Sequence, residues 1–361
     1  MERGGYEVRT IVINGFPLCS KHSGMHRFMI ECLSRVDKQI GKKNFKVELV
    51  YPCFKRIHVP KFNNIKVKRI WSLSKDWYGN VLPNYLQKDG RIFCGMANDI
   101  PCGKRNIICL HDVLAVKPEA KFSEADVKER MEKFRMIAKK SEVIVTVSET
   151  SKREICELLE VSQDDVVVIY NSWEHMKMIH EDMSVFERHT DLKKQNYYYA
   201  LGNVMPHKNF EWIVQVAKRN PNSTFVIAGD MHKLGNNSLF EAENLIYLGR
   251  VTDEENKALM SSCKAFLHPA FYEGFGIPPL EALSCGAPVI ISNTSCLPEI
   301  YGKCAHYISP YQYDYDLDAI LKEPVEPAEN VLEKYSWDKS AQQWIDIFEN
   351  CSIERNPSRN V

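Results

Sequence analysis

Two carboxylates, Glu273 and Glu281, stand around a Gly-Phe-Gly-Ile-Pro-Pro turn within the stretch HPAFYEGFGIPPLEALSCGAPVIISNTSCLPEI, His268 to Ile300. Proline is tolerated in the first turn of a helix, because its missing N–H would have no intrahelical partner there. A helix is therefore expected to start near Pro279, with Glu281 in its first turn. The backbone amides of Gly274, Phe275, Gly276 and Ile277 then precede a helix N-terminus, where free donors and the positive dipole end attract an anion. Glycine lets the backbone approach such a guest closely, and a diphosphate fits. A second acid one turn into the helix would repel phosphate, so Glu281 is expected to face the neutral hydroxyls of a ribose, and Glu273 a sugar. The spacing alone is equally compatible with a surface turn ahead of an amphipathic helix carrying two solvated glutamates.

The wider pattern narrows this. Glu, seven residues, Glu, with Gly-Phe-Gly-Ile-Pro inside and Ala-Leu-Ser-Cys-Gly-Ala-Pro-Val after, resembles the donor-site signature of the retaining family 4 glycosyltransferases. Glu273, Gly274 to Pro278, Glu281, Ala282, Cys285, Gly286, Pro288 and Val289 carry the match. The resemblance implies an α/β chain of GT-B type, two doubly wound Rossmann-like domains facing a cleft. It also implies transfer of a sugar from a nucleotide diphosphate sugar to a hydroxyl with retained anomeric configuration.

Apolar runs supply the elements that must position these groups. RTIVIN (Arg9 to Asn14) reads as a buried strand; its loop ends at Ser23-Gly24-Met25-His26-Arg27, before a helical pattern over 28–40. Strand, loop and helix in this order put Gly24 at the carboxyl edge of a parallel sheet, where α/β folds bind ligands. Strands are also expected over 46–51, 106–110, 142–147 and 166–170. His111-Asp112 ends the second of these, although a histidine after a strand is more often structural. Residues 173–195 are polar and unpatterned, which reads as a linker. A second unit opens with YYYAL (197–201), followed by Gly202 and by His207-Lys208-Asn209 at the start of a helix to Arg219. Further strands are expected over 224–228, 245–248 and near 305–308, and a last helix over 337–350.

By the resemblance, the Gly24 loop faces the acceptor and the donor phosphates, and His111 contacts the transferred sugar. Lys208 contacts the diphosphate, with His207 where the family often has arginine, so one full charge is expected there near neutral pH. The turn Gly249-Arg250-Val251 holds the nucleobase edge through main-chain groups. The implied organisation is an acceptor-side domain over 1–172, a linker over 173–196, a nucleotide-sugar domain over 197–335, and over 336–361 a helix crossing back to the first domain.

Composition bounds the partners. The chain of 361 residues has no formal net charge, yet residues 1–110 hold 20 Lys and Arg against 8 Asp and Glu, so this part attracts anions. The segment KRIHVPKFNNIKVKR (55–69) reads either as an edge strand protected by lysines or as a platform for an anionic membrane or a lipid-linked acceptor. Nucleic acid is not expected, since no recognised binding motif accompanies the charge. Twelve cysteines without metal-finger spacing argue for reduced thiols and a cytoplasmic protein, at most at the inner face of the membrane. Expected partners are a nucleotide-sugar donor and a saccharide or lipid-linked saccharide acceptor, in surface polysaccharide or glycoconjugate assembly. No cofactor and no metal is expected, and Asp314 to Asp318 reads as a solvated acidic loop. A sugar-nucleotide epimerase and a non-catalytic nucleotide-sugar-binding protein are the alternatives.

Overall fold

Strands that are covered on both faces read as unbroken apolar runs, and most of the thirteen strands that build two parallel sheets in the computed structural model, which describes residues 8–20, 24–88, 90–230 and 241–352, are of this kind, the edge strand β3 with its lysines being an exception. The first sheet contains β1 (Arg9–Asn14), β2 (Phe45–Pro52), β3 (Lys66–Ile70), β4 (Arg91–Gly95), β5 (Asn106–Cys109), β6 (Val143–Thr146) and β7 (Val166–Val168). The second contains β8 (Tyr197–Leu201), β9 (Thr224–Ala228), β10 (Leu245–Gly249), β11 (Ala265–His268), β12 (Val289–Ser292) and β13 (His306–Ile308). Their orders are β3-β2-β1-β4-β5-β6-β7 and β10-β9-β8-β11-β12-β13, with every pairing parallel. The order reverses between β1 and β4 and again between β8 and β11, and the diverging loops at such a point leave a crevice at the carboxyl edge.

Seven helices of eight residues or more flank these sheets among the described residues: α1 (Gly24–Gln39), α2 (Glu124–Lys140), α3 (Glu149–Leu159), α4 (Phe210–Arg219), α5 (Asp253–Ser261), α6 (Ile277–Ser284) and α7 (Trp337–Ser352). Helix α1 starts four residues earlier than the sequence pattern suggests. Arg27 pairs with Glu31 one turn on, so the polar residues 24–27 belong to the helix and Gly24 is its first residue.

The connection after β7 is packed rather than loose. It holds two short helical segments, Glu174–Met178 and Ser184–Arg188, and lies along α5, where Lys257 Nζ donates to Met176 O at 2.9 Å and Ile179 O at 2.8 Å, and Arg188 pairs with Glu255. Between these anchors its charged side chains, such as Lys177, Glu187 and Lys194, face solvent.

The last helix returns to the first sheet. Trp344 and Phe348 of α7 meet Phe28 of α1 and Phe45 of β2, with ring centroids 6.4 and 6.0 Å apart, and Arg35 and Lys43 pair with Asp338 and Glu349 at the rim. Because Trp344 is wholly buried, Trp344→Ala should cost about 3–5 kcal/mol, read as a lower urea midpoint for the first domain. An unchanged midpoint would show that α7 docks without stabilising that domain.

Candidate active site

The loops after β8 and β11 diverge at the reversal of the second sheet, and hydrogen bonds stitch them together. Asn209, in the left-handed region at φ +54°, donates from its side chain to Pro269 O and Pro310 O, each at 3.0 Å. Phe271 N donates to His207 O at 2.7 Å. This stitching brings Lys208 onto Glu273, 65 positions away in sequence: Lys208 Nζ donates to Glu273 Oε1, which also receives His268 Nε2 at 2.8 Å. Burial by itself would raise the Glu273 carboxyl, but Lys208 and the hydrogen bond from His268 more than offset it and hold the group well below the usual carboxylate range. Burial keeps His268 below its ordinary value despite that partner. It also pushes His207 down to about 4, so His207 is neutral at pH 7 and Lys208 is the full positive charge of this loop.

Helix α6 begins at Ile277, not at Pro279, so both prolines lie in its first turn and Glu281 falls in its second. The chain turns into the helix through Gly276 at φ +84°, a conformation costly for residues with a side chain, and a Cβ there would also lie 2.7 Å from Leu297 Cδ2. The Phe275 side chain is buried against Tyr170 and Tyr335, which leaves its main chain to serve the loop. Among the described residues, no acceptor takes the amides of Gly274, Phe275, Gly276 or Ile277, so four donors stand at the N-terminus of α6 beside Lys208 and Glu273.

The first domain closes on this loop. A Cβ at Gly274 would lie 2.8 Å from Asp112 Oδ2 and 3.2 Å from His111 O, so glycine is needed there for the approach of the two domains. His111 is buried and its Nε2 donates to Met96 O at 3.0 Å, leaving Nδ1 of the neutral ring as an acceptor. Burial pushes this ring down to about 4. Asp112 Oδ1 accepts from Leu114 N at 2.9 Å. Gly24, at the start of α1, has Ile277 as the nearest neighbour of its Cβ position, at 3.8 Å, which sets the N-termini of α1 and α6 against one another. Glu299 reaches from the second domain to the N-terminus of α3, accepting from Glu149 N at 2.8 Å and Thr150 N at 2.6 Å.

The remaining residues fall around this centre. Glu281 Oε1 accepts from His175 Nε2 at 2.8 Å, and its neighbourhood includes Arg27 of α1, whose positive charge it helps to hold. Arg250 is exposed and pairs with Asp230 at 2.7 Å, while Val251 packs against the core. The acidic run over 314–318 has its three aspartates exposed, as a solvated segment should, but part of it is helical: Asp316 caps the short helix Leu317–Ile320, and Asp318 accepts from Tyr198 and pairs with Lys264. Among the described residues no three His, Cys, Asp or Glu are grouped to hold a metal ion. Nor is any described helix long and apolar enough to cross a membrane. Of the residues of this centre, His268 carries no signal as a site residue in the sequence beyond standing at a strand end, and Asp112 is marked there only as the neighbour of His111.

Residues 183–314 match the family model described as glycosyl transferases group 1. The O-antigen chain mannosyltransferase RfbU of Salmonella typhimurium is 25% identical over 288 residues, covering 76% of this chain and 77% of that protein. The O-antigen chain mannosyltransferase B of Escherichia coli is 28% identical over 58% of this chain, and the match spans 60% of that protein's length. Among solved structures, Anabaena Alr3699/HepE in complex with UDP and glucose superposes with a TM-score of 0.68 at 13% identity, over 95% of this chain and all (100%) of that one. Sucrose-phosphate synthase from Thermosynechococcus elongatus reaches 0.72 at 14% identity, over 95% of this chain and 99% of that one. The fold is GT-B, two doubly wound domains joined across a cleft.

Burial between the domains pushes the Asp112 carboxyl up to about 6, with the Leu114 amide opposing and Glu273 adding to the rise. An acid whose pKa is raised by folding holds its proton more tightly in the folded chain. The cost of ionising it is absent below pH ~4, grows up to pH ~6 and is constant above. Asp112→Asn keeps the acceptor for Leu114 and removes the charge. The variant should gain up to about 3 kcal/mol relative to wild type between pH 4 and pH 7.5, measured by urea denaturation at both pH values. An equal difference at the two pH values would refute the enclosed, reluctantly ionised carboxyl.

Proposed function

We propose that this member of the glycosyl transferases group 1 moves a hexosyl group from a nucleotide diphosphate sugar to a hydroxyl of a saccharide acceptor in surface polysaccharide or glycoconjugate assembly, with anomeric configuration retained and without a divalent metal. The observation that carries this reading is the meeting of Lys208, Glu273 and four amides that have no acceptor among the described residues at the switch point of the second sheet.

In such a transfer the acceptor oxygen replaces the diphosphate oxygen on the anomeric carbon, and the hydroxyl proton leaves with the diphosphate. The barrier lies in expelling that charged group while the sugar becomes oxocarbenium-like. Fixed donors aimed at the departing oxygens can each contribute on the order of 3 kcal/mol, and they need no metal to do so. Lys208 and the amides of Gly274 to Ile277 take this role. Arrival of the phosphates draws Lys208 from Glu273, whose carboxylate, kept ionised by its partners, then accepts from the sugar hydroxyls. His111 offers Nδ1 to the same sugar from the other domain. Glu281 keeps His175 on one oxygen and presents the other to the ribose, and the main chain at Arg250 and Val251 borders the base. Mannose is the sugar named in both O-antigen relatives, so mannosyl donors are the first to try.

The test begins with thermal stabilisation by a panel of nucleotide diphosphate sugars, since a ligand bound to the folded state raises its apparent stability. The preferred donor is then assayed for release of nucleotide diphosphate with a saccharide acceptor. Lys208→Ala should lower kcat by about 100-fold or more while leaving a folded protein by melting temperature. Stabilisation by no donor, or release indifferent to Lys208, would end this reading. Turnover of the donor without any acceptor, yielding an isomeric sugar nucleotide, would mark an epimerase instead.

A further inference from the structure

The loops that leave β2 and β3 share a surface that is both apolar and basic. Trp71 is 78% exposed, Leu73 is fully exposed, and Phe54, two residues past the end of β2, is 46% exposed. The exposed Lys55 and Arg56 after β2 and Arg69 and Lys75 at the end of β3 leave from the same edge, and Asp76 is the single acid between residues 53 and 76. The two loops form one unit: Cys53 N donates to Ile70 O at 3.0 Å, Arg69 Nε donates to Cys53 O at 2.7 Å, and the Arg69 guanidinium stacks on the Trp71 ring at 5.2 Å. Beyond Trp71, hydroxyl turns hold the chain, with Ser74 N on Ser72 Oγ at 3.1 Å and Asp76 N on Ser74 Oγ at 3.2 Å. The apolar tips are thus held out on a fixed support.

Their place in the fold gives this surface a direction. Because the first sheet is parallel, the loops after β2 and β3 leave from the same edge as Gly15 after β1 and His111 after β5. Strand spacing sets the end of β3 about 10 Å from that of β1 and about 20 Å from that of β5. The first loop also leans on the β1–α1 connection, His58 N donating to Leu18 O at 3.5 Å. The patch therefore sits on the rim of the cleft, and not on its back.

We propose that this rim seats the protein on an anionic lipid surface, with Trp71 and Leu73 entering the interfacial layer and the surrounding Lys and Arg side chains meeting the headgroups. An indole ring beside basic residues suits the membrane interface, where one side is apolar and the other wet and negative. A soluble polyanion would satisfy the charges but leave Trp71 and Leu73 in water, whereas a lipid surface satisfies both. The proposal rests on the transferase reading only for its consequence, that the cleft faces an acceptor anchored in the same membrane; docking itself is measurable without turnover.

The test is co-sedimentation with vesicles of phosphatidylcholine alone or with about a third phosphatidylglycerol, at low salt and at about 0.5 M salt. Binding is expected to the anionic vesicles only, weakened by salt, and reduced about tenfold or more in Trp71→Ser/Leu73→Ser. The double variant should release nucleotide from a soluble donor as wild type does, since neither residue borders the cleft centre. Of the six tryptophans, Trp71 is the exposed one, so vesicles should shift the emission of wild type to the blue, and of Trp71→Phe not at all. Failure to bind anionic vesicles at low salt, binding unaffected by the double substitution, or capture by heparin with no vesicle binding would each overturn the proposal. So would concentration-dependent self-association abolished by the double substitution, which would make a second copy of this chain the occupant.

Discussion

The ion pair between Lys208 and Glu273 is the contact around which the second domain is arranged. Taking two charges from water is costly unless their geometry and remaining hydrogen bonds are good. Here the cost is met by position: Lys208 arrives on a loop pinned through Asn209 and His207, while Glu273 is held by His268 and by Ser295, which bonds its main chain on both sides. Each of these partners departs from the carboxyl edge of a strand next to, or one removed from, the reversal of strand order. A pair assembled this way is held by groups of the second domain alone.

The cleft depends on a second constraint, the close approach of the domains. Gly274 leaves room for His111 and Asp112, Glu299 satisfies two orphan amides at the positive end of α3, and Tyr272 donates to Glu154 across the same junction at 2.5 Å. Helix α7 closes the chain back onto the first sheet, so the two domains are tied at both the junction and the terminus. The charge borne by the site follows from this enclosure, since burial neutralises His207 and His111 and leaves Lys208 as the cation facing Glu273.

How much of this was legible from the chain varies element by element. Strands such as Tyr197–Leu201 and Thr224–Ala228 stand out because parallel strands buried on both faces are continuous apolar runs between turn residues. Arg91–Gly95 is not legible as a strand, although it lies beside β1 at the centre of the first sheet: five residues with a charged first position and a terminal glycine carry neither period nor length enough to stand out. The sequence pattern sets the start of α6 two residues late because proline is acceptable at several positions of a first turn, and only the conformation of Gly276 decides where the helix begins.

The sequence by itself determined the parts whose causes are local: the glycine turn with amides at a helix N-terminus, the two glutamates flanking it, Lys208 at its own helix start, and the alternation of strands and helices in two blocks. Periodicity, caps and turn residues act within a few positions, so they are written where they operate. Tertiary structure alone decided that Lys208 and His268 share one oxygen of Glu273, that Asp112 is enclosed against Gly274, and that Glu281 pairs with His175. It also decided that Trp71 and Leu73 stand on the same edge as the cleft. These depend on strand order and on the fit between domains, which are set by packing among residues far apart in sequence, and no local pattern encodes such distances.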